Sequence, residues 1–269
     1  MERISHALSL LLSFRLFRAF IFALLLLFGF FTPQPFAQSK AKPSAKLSQA
    51  TLERQLQAAV QRTPNDFTAN HNLGEFYVRA GKLQAALPFL IKAYRLDPKH
   101  YANAYDLALA YVKTGKLSEA RQQIQQMLVT NNTAELHNLM GLIEETAGNK
   151  LAAAESYQRA AQLDPSEKNV FDLGNILLQL TAANEALKIF DYGVQKYPQS
   201  SQLRVGLGIA EYALGKHNQA VETLCQAVDL APQDPRPYIF LGEMYGVSVE
   251  LADEINRRFA EFIKRQPQN

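Results

Sequence analysis

The chain repeats itself every 33 or 34 residues, and that period constrains its fold more than any other property. The pairs Leu73-Gly74, Leu107-Ala108, Met140-Gly141, Leu173-Gly174, Leu207-Gly208 and Leu241-Gly242 set a small residue after a larger apolar one, at intervals of 34, 33, 33, 34 and 34. Twelve residues after the first five small residues stand Ala86, Ala120, Ala153, Ala186 and Ala220, and seven further on are Ala93, Met127, Ala160, Gly193 and Ala227. The periods close on Pro98, Asn132, Pro165, Pro198 and Pro232, and midway through them stand Gly81, Gly115, Gly148, Thr181 and Gly215. Apolar residues within each half fall at three- and four-residue steps, as in Leu73, Phe76, Tyr77 and Ala80 and then Ala86, Leu90 and Ala93, which marks a helix that buries one face. Each period therefore reads as a helix, a tight turn and a second helix. Proline ends the second helix because it lacks an N–H and disfavours helical geometry in the residue before it. A small residue at each crossing point lets two helix backbones approach, against a helix-propensity cost of about 1 kcal/mol for Gly relative to Ala.

These landmarks resemble those of the tetratricopeptide repeat family over roughly Pro64 to Pro267. The resemblance implies an all-α, right-handed superhelical solenoid of antiparallel helix pairs. The leading helix is expected over 47–63 and the repeats over about 67–98, 101–132, 134–165, 167–198, 201–232 and 235–267. The pattern departs from the family in two respects: the aromatic residue three places before each leucine is supplied only by Tyr238, its place being taken by Asn70, Ala104, His137, Val170 and Arg204, and repeats two and four lack landmarks at Met127, Asn132 and Thr181. In the last helix, Leu251, Ile255, Phe259, Phe262 and Ile263 share a face opposite Asp253, Glu254, Arg257, Arg258, Glu261 and Lys264. An apolar inner face with a charged outer one is the cap a solenoid needs.

The first 37 residues read as an export signal rather than as part of the fold. Arg3, Arg15 and Arg18 precede an unbroken apolar run from Ala19 to Phe31. As a helix this run reaches about 20 Å, short of a hydrocarbon core of roughly 30 Å. A cleaved signal, cut after Ala37 or alternatively after Ser39 or Ala41, is preferred to an uncleaved signal anchor. Residues 38–46 are small, polar and basic, the composition of a flexible linker. With no cysteine near the cut, lipid attachment at a mature N-terminal Cys is excluded. The expected location is periplasmic or secreted, with membrane contact only through an uncleaved signal.

Composition closes off other functions. The net charge of +3 falls to +1 once residues 1–37 are set aside, too little for a nucleic-acid footprint. Cys225 is the sole cysteine, and none of the five histidines is paired at i,i+4 spacing, so neither a disulfide framework nor a zinc site is expected. Cys225, beside Leu224 in a second helix, reads as a buried, inert thiol. Glu144 and Glu145 read as solvated helix charges. No phosphate-binding loop, catalytic triad order or dinucleotide fingerprint appears, so no cofactor, metal or enzymatic activity is expected.

What the pattern does supply is surface. The resemblance implies a concave groove lined by the first helices, suited to a protein or peptide partner. Positions about one residue either side of the small-residue face select His71, Glu75 and Arg79 in repeat one and Tyr105, Leu109 and Lys113 in repeat two. In repeats three and four they select Asn138, Leu142, Glu145, Phe171, Asn175 and Gln179, and beyond these Val205, Ile209, Tyr212, Ile239 and Glu243. Tyr105 and Phe171 offer rings for stacking, and Asn138 and Asn175 offer amides for an extended backbone. The places at which some relatives clamp a C-terminal carboxylate hold His71, Glu75, Asp106, Glu135 and Leu139, so no such clamp is expected. The chain reads as a non-catalytic scaffold, such as an envelope assembly factor or chaperone-like adaptor. The alternative is a structural adaptor that self-associates through its groove or last helix.

Overall fold

The computed structural model describes residues 44–246 and 249–265, which form thirteen α-helices. The expected signal segment 1–37, and the expected linker up to residue 43, lie outside the described residues, as do the side chains of Leu251, Phe259, Phe262 and Ile263. The chain divides into two compact parts, Met1–Arg54 and Gln55–Asn269. Of the first part, the described residues are the opening turns of α1 (Ser44–Arg62). That helix begins before the expected residue 47, so Ser44, Ala45 and Lys46 are helical rather than linker. Alanine and lysine are strong helix formers, and adding them to a helix end costs little.

The second part carries six helix pairs. They are α2 (Phe67–Arg79) with α3 (Leu83–Leu96), α4 (Tyr101–Lys113) with α5 (Leu117–Leu128), and α6 (Ala134–Thr146) with α7 (Lys150–Leu163). Then come α8 (Glu167–Gln179) with α9 (Ala183–Lys196), α10 (Ser201–Ala213) with α11 (His217–Leu230), and α12 (Pro235–Tyr245) with α13 (Val249–Arg265). Most first helices start on a capping side chain. Asp66 Oδ1 accepts from the Ala69 N–H at 2.7 Å, and His100, Thr133, Ser200 and Asp234 cap α4, α6, α10 and α12 likewise.

The turn within each of the first five pairs is the same closed structure. The Gly81 N–H donates to Val78 O at 3.0 Å and the Lys82 N–H to Tyr77 O at 2.8 Å, a Schellman motif that satisfies the last carbonyls of α2. It recurs at Gly115, Gly148, Thr181 and Gly215. The motif needs a left-handed residue, and the four glycines take φ between 70° and 84°. Thr181 is forced to φ 59° in the same place. For a β-branched residue this conformation costs about 1–2 kcal/mol, while glycine gives back about 0.5–1 kcal/mol through its freer unfolded chain. Thr181→Gly is therefore expected to stabilise the chain by about 0.5–1 kcal/mol. A urea midpoint unchanged or lowered by the substitution contradicts that account.

Packing follows the small residues. A Cβ added to Gly74, Gly141, Gly174 or Gly208 would collide with Leu90, Tyr157, Phe190 or Leu224, so each glycine seats a large side chain from the second helix of its own pair. Ile124 takes the equivalent place over Ala108 and is fully buried. Gly242 differs: among the described residues nothing lies within 4 Å of an added Cβ. Arg258 occupies the equivalent place in α13, and its guanidinium is turned to Glu254 at 2.8 Å. Ile255, by contrast, is buried on the inner face of that helix as expected.

At three of the six aromatic positions, whether the aromatic is kept or replaced, the side chain has one structural role. Asn70, Arg204 and Tyr238 each donate to the carbonyl of the proline that precedes their helix, Pro64, Pro198 and Pro232. Pro165 O is reached instead by Tyr197 OH and Lys196 Nζ, both at 2.9 Å. A carbonyl beyond a helix end has no helical partner, and the side chain supplies one.

Candidate functional site

Three rungs of polar contact cross between neighbouring first helices, each joining residues 34 apart. Tyr101 OH donates to Glu135 Oε2 at 2.9 Å, Asn138 Nδ2 to Asp172 Oδ2 at 2.7 Å, and Gln179 Nε2 to Glu145 Oε1 at 2.6 Å. Because the repeat is 33 or 34 residues, every rung ties a position in one repeat to the same position, or the one beside it, in the next. Lys168 Nζ donates to both Asn138 Oδ1 and Asp172 Oδ2.

The expected site residues fall along these rungs unevenly. His71 Nδ1 lies 3.3 Å from Asn103 Oδ1, and its ring stacks on Phe67 with centroids 5.4 Å apart. Glu75 is paired with Arg79 at 2.6 Å. Tyr105 is half-buried and stacked on Tyr101, 6.3 Å between centroids, with its hydroxyl pushed up to about 12, first by burial and then by Glu135. Asn138 and Glu145 are bound into the rungs, and Glu145 also accepts from Tyr157 OH at 2.7 Å. Lys113, Gln179 and Glu243 are exposed and Asn175 is half-buried.

Three positions do not behave as free groove residues. Phe171 packs against the buried Phe190 at 6.1 Å, so much of its ring belongs to the core. Tyr212 leans on His217, 5.1 Å away at the start of α11. Val205 is 3% exposed and belongs to the core outright. At three- and four-residue spacing from neighbouring helices, an apolar residue beside the small-residue face is captured by packing.

Sequence reasoning passed over Lys168 and Asp172, and weighed Asp106 and Glu135 only as clamp positions. The signal for Asp172 and Glu135 is the 34-residue separation from Asn138 and Tyr101. Asp106 is half-buried beside Glu75, and its carboxyl is raised by burial first and then by Glu75, with His71 and Arg79 opposing. Glu75, Asp106, Glu135, Glu145 and Asp172 thus line this side of the first helices, against Arg79, Lys113 and Lys168.

Glu144 is no solvated charge. It is 8% exposed and held by Arg121 through Nε–Oε1 at 2.6 Å and Nη2–Oε2 at 2.8 Å, with Asn149 Nδ2 donating to Oε2 at 2.8 Å. Its neighbour in sequence, Glu145, is the one that faces the rungs. Cys225 is only partly exposed, and burial pushes its thiol up to about 11, which keeps the less nucleophilic thiol form at neutral pH.

An all-helical array of stacked pairs, with one polar face crossing successive first helices, defines a helix-pair repeat protein. Models of the tetratricopeptide repeat match residues 77–143, 134–167 and 177–242, more than half of the chain, and the chain belongs to that family. Human Protein O-mannosyl-transferase TMTC1 is 25% identical over 60% of this chain, and the peroxisomal targeting signal receptor of Candida albicans is 24% identical over 74% of it. The chain spans 19% and 35% of the length of these two relatives. A solved tetratricopeptide repeat protein from Parabacteroides merdae matches with a TM-score of 0.63 and 21% identity, over 82% of this chain and 87% of that one. This last likeness concerns fold alone.

Proposed function

We propose that the chain is an exported, non-catalytic scaffold that binds an extended segment of a partner protein along its first helices, and that the segment carries basic side chains. The observation that supports this reading is the row of carboxylates Glu75, Asp106, Glu135, Glu145 and Asp172 beside the stacked Tyr101 and Tyr105. Asp106 matters most, because a half-buried carboxylate pushed toward its protonated form by burial first and then by neighbouring Glu75 gains most from a cation. Stacked tyrosines add a face over which an arginine or lysine can lie. One relative is a receptor for a targeting signal, which agrees with a segment as ligand. Export rests on residues 1–37, whose charge and apolar run have the form of a signal.

The test is fluorescence anisotropy of the full chain against a peptide library varied in charge. Basic peptides with an aromatic residue are expected to bind, and Tyr105→Ala with Asp106→Asn to weaken them at least about tenfold. Preference for acidic peptides, or binding indifferent to both substitutions, sinks the reading. N-terminal sequencing of the chain recovered outside the cytoplasm is expected to begin at Gln38, Lys40 or Lys42. An intact Met1 on a chain retained inside contradicts export.

A further inference from the structure

An apolar opening lies on the other side of the array, between second helices. It is a groove of about 620 Å³ between α7 and α9, floored by Val170, Leu173 and Leu177 of α8 and walled by Ala161 and Ile189. The repeats themselves show what such a groove holds. Between repeats one and two the equivalent place is a smaller opening of about 500 Å³, lined by Tyr94, half-buried, whose hydroxyl donates across it to Gln126 Oε1 at 2.9 Å. The residues in the place of Tyr94 are Leu128 in repeat two, Ala161 in repeat three, Val194 in repeat four and Val228 in repeat five. Alanine is the smallest of these five. Where Gln126 stands in its repeat, repeat four has Tyr192, on the rim of the open groove and 46% exposed.

Hole and knob therefore share one surface, and the charges beside them have a definite direction. Glu185, Lys188, Tyr192 and Lys196 are all exposed on α9, and Glu185, Tyr192 and Lys196 lie within about 20° of one helical stripe at 100° per residue. Acid stands at the start of this stripe and base at its end. Two copies of α9 laid antiparallel about a two-fold axis set Glu185 against Lys196 of the other copy at both ends. The same register sets Tyr192 against Ile189, a wall of the groove. Self-complementarity of this kind is what an isologous two-fold contact requires, and a foreign partner has no need of it.

We infer that a second copy of this chain docks here, each Tyr192 entering the groove that Ala161 leaves open in the other copy. Its hydroxyl meets Gln158 or Gln162 on the groove's rim, as Tyr94 meets Gln126 inside one chain. The surface is separate from the first-helix face, so this inference and the peptide-binding reading stand or fall independently.

The test is sedimentation velocity of the full chain in one mild detergent over a range of concentrations. A reversible monomer–dimer equilibrium is expected. Tyr192→Ala, and Ala161→Tyr, which narrows the groove from within as Tyr94 does, are each expected to weaken it at least about tenfold. Glu185→Lys is expected to weaken it too, and the reversed pair Glu185→Lys with Lys196→Glu to restore it. Tyr192 and Glu185 are surface residues whose variants keep the fold, so they decide the matter even where Ala161→Tyr does not fold. A chain monomeric throughout, a dimer indifferent to Tyr192→Ala, or a charge reversal that restores nothing overturns the inference. A tyrosine-bearing foreign peptide that binds the groove of a monomeric chain overturns it in favour of another occupant.

Discussion

Phe190→Ala is expected to destabilise the protein by about 3–5 kcal/mol, as deletion of a fully buried aromatic side chain does. Phe190 is 0% exposed, and its ring lies between two glycines on different helices, Gly174 of α8 and Gly206 of α10. A Cβ built on Gly174 would stand 2.5 Å from the ring's Cζ, and one built on Gly206 would also collide with ring carbons. The ring cannot retreat from one glycine without striking the other. Gly206→Ala should therefore cost about 1–3 kcal/mol by overpacking, less the roughly 1 kcal/mol that alanine gains in a helix. Placed on a Phe190→Leu background, the same substitution should cost less, because the smaller side chain leaves room for the methyl group. Urea unfolding followed by circular dichroism measures all three. A Gly206→Ala chain more stable than the original, by the roughly 1 kcal/mol that alanine gains in a helix, would show that the ring is not wedged.

Arg121→Ala is the second large effect, at about 2–3 kcal/mol. This is set below the 3–5 kcal/mol of a fully buried pair because the Arg121 side chain is 32% exposed while that of Glu144 is 10% exposed. Removing the guanidinium leaves a buried carboxylate with Asn149 as its remaining hydrogen-bond donor. The loss should depend on pH in a definite direction. Arg121 first, then Asn149, hold the Glu144 carboxyl below its usual range against desolvation. A carboxyl lowered in the folded state stabilises fully above its unfolded value, about 4.3, and loses that contribution as pH falls through the folded value. The stability gap between the original chain and Arg121→Ala should thus be widest near neutral pH and narrow below about pH 4. Melting curves at pH 7 and pH 3 that keep the same separation would remove the ion pair from the account.

Fold and site were unequally legible in the sequence, for a physical reason. Crossing points and left-handed turns admit few residue types, so Gly74, Gly141, Gly174 and Gly208 and the turn glycines leave marks at a fixed period. Gly242 carries the same mark, but among the described residues no side chain seats against it, and Arg258 at the equivalent place pairs with Glu254. Side-chain pairing leaves a weaker trace. Arg121 and Glu144 are 23 residues apart, a separation no local pattern singles out, whereas the rungs sit at 34 and are readable once the period is known. The split fate of Tyr105 and Phe171, one at the polar rungs and one against Phe190, depends on how neighbouring helices lean, and position within the repeat does not specify it.

Among the described residues, helices of the second part touch chiefly the next helix along the chain or the one after it. Every such contact closes a short loop, so little chain entropy is lost before each contact forms. Folding can begin at any adjacent pair and spread outward, and its rate should depend little on how many pairs follow. Nothing in this arrangement closes the array on itself. Duplicating a whole period, for example Glu167 to Ser200, would lengthen the protein without disturbing contacts elsewhere, so its reach can change by gene duplication while its joints stay the same.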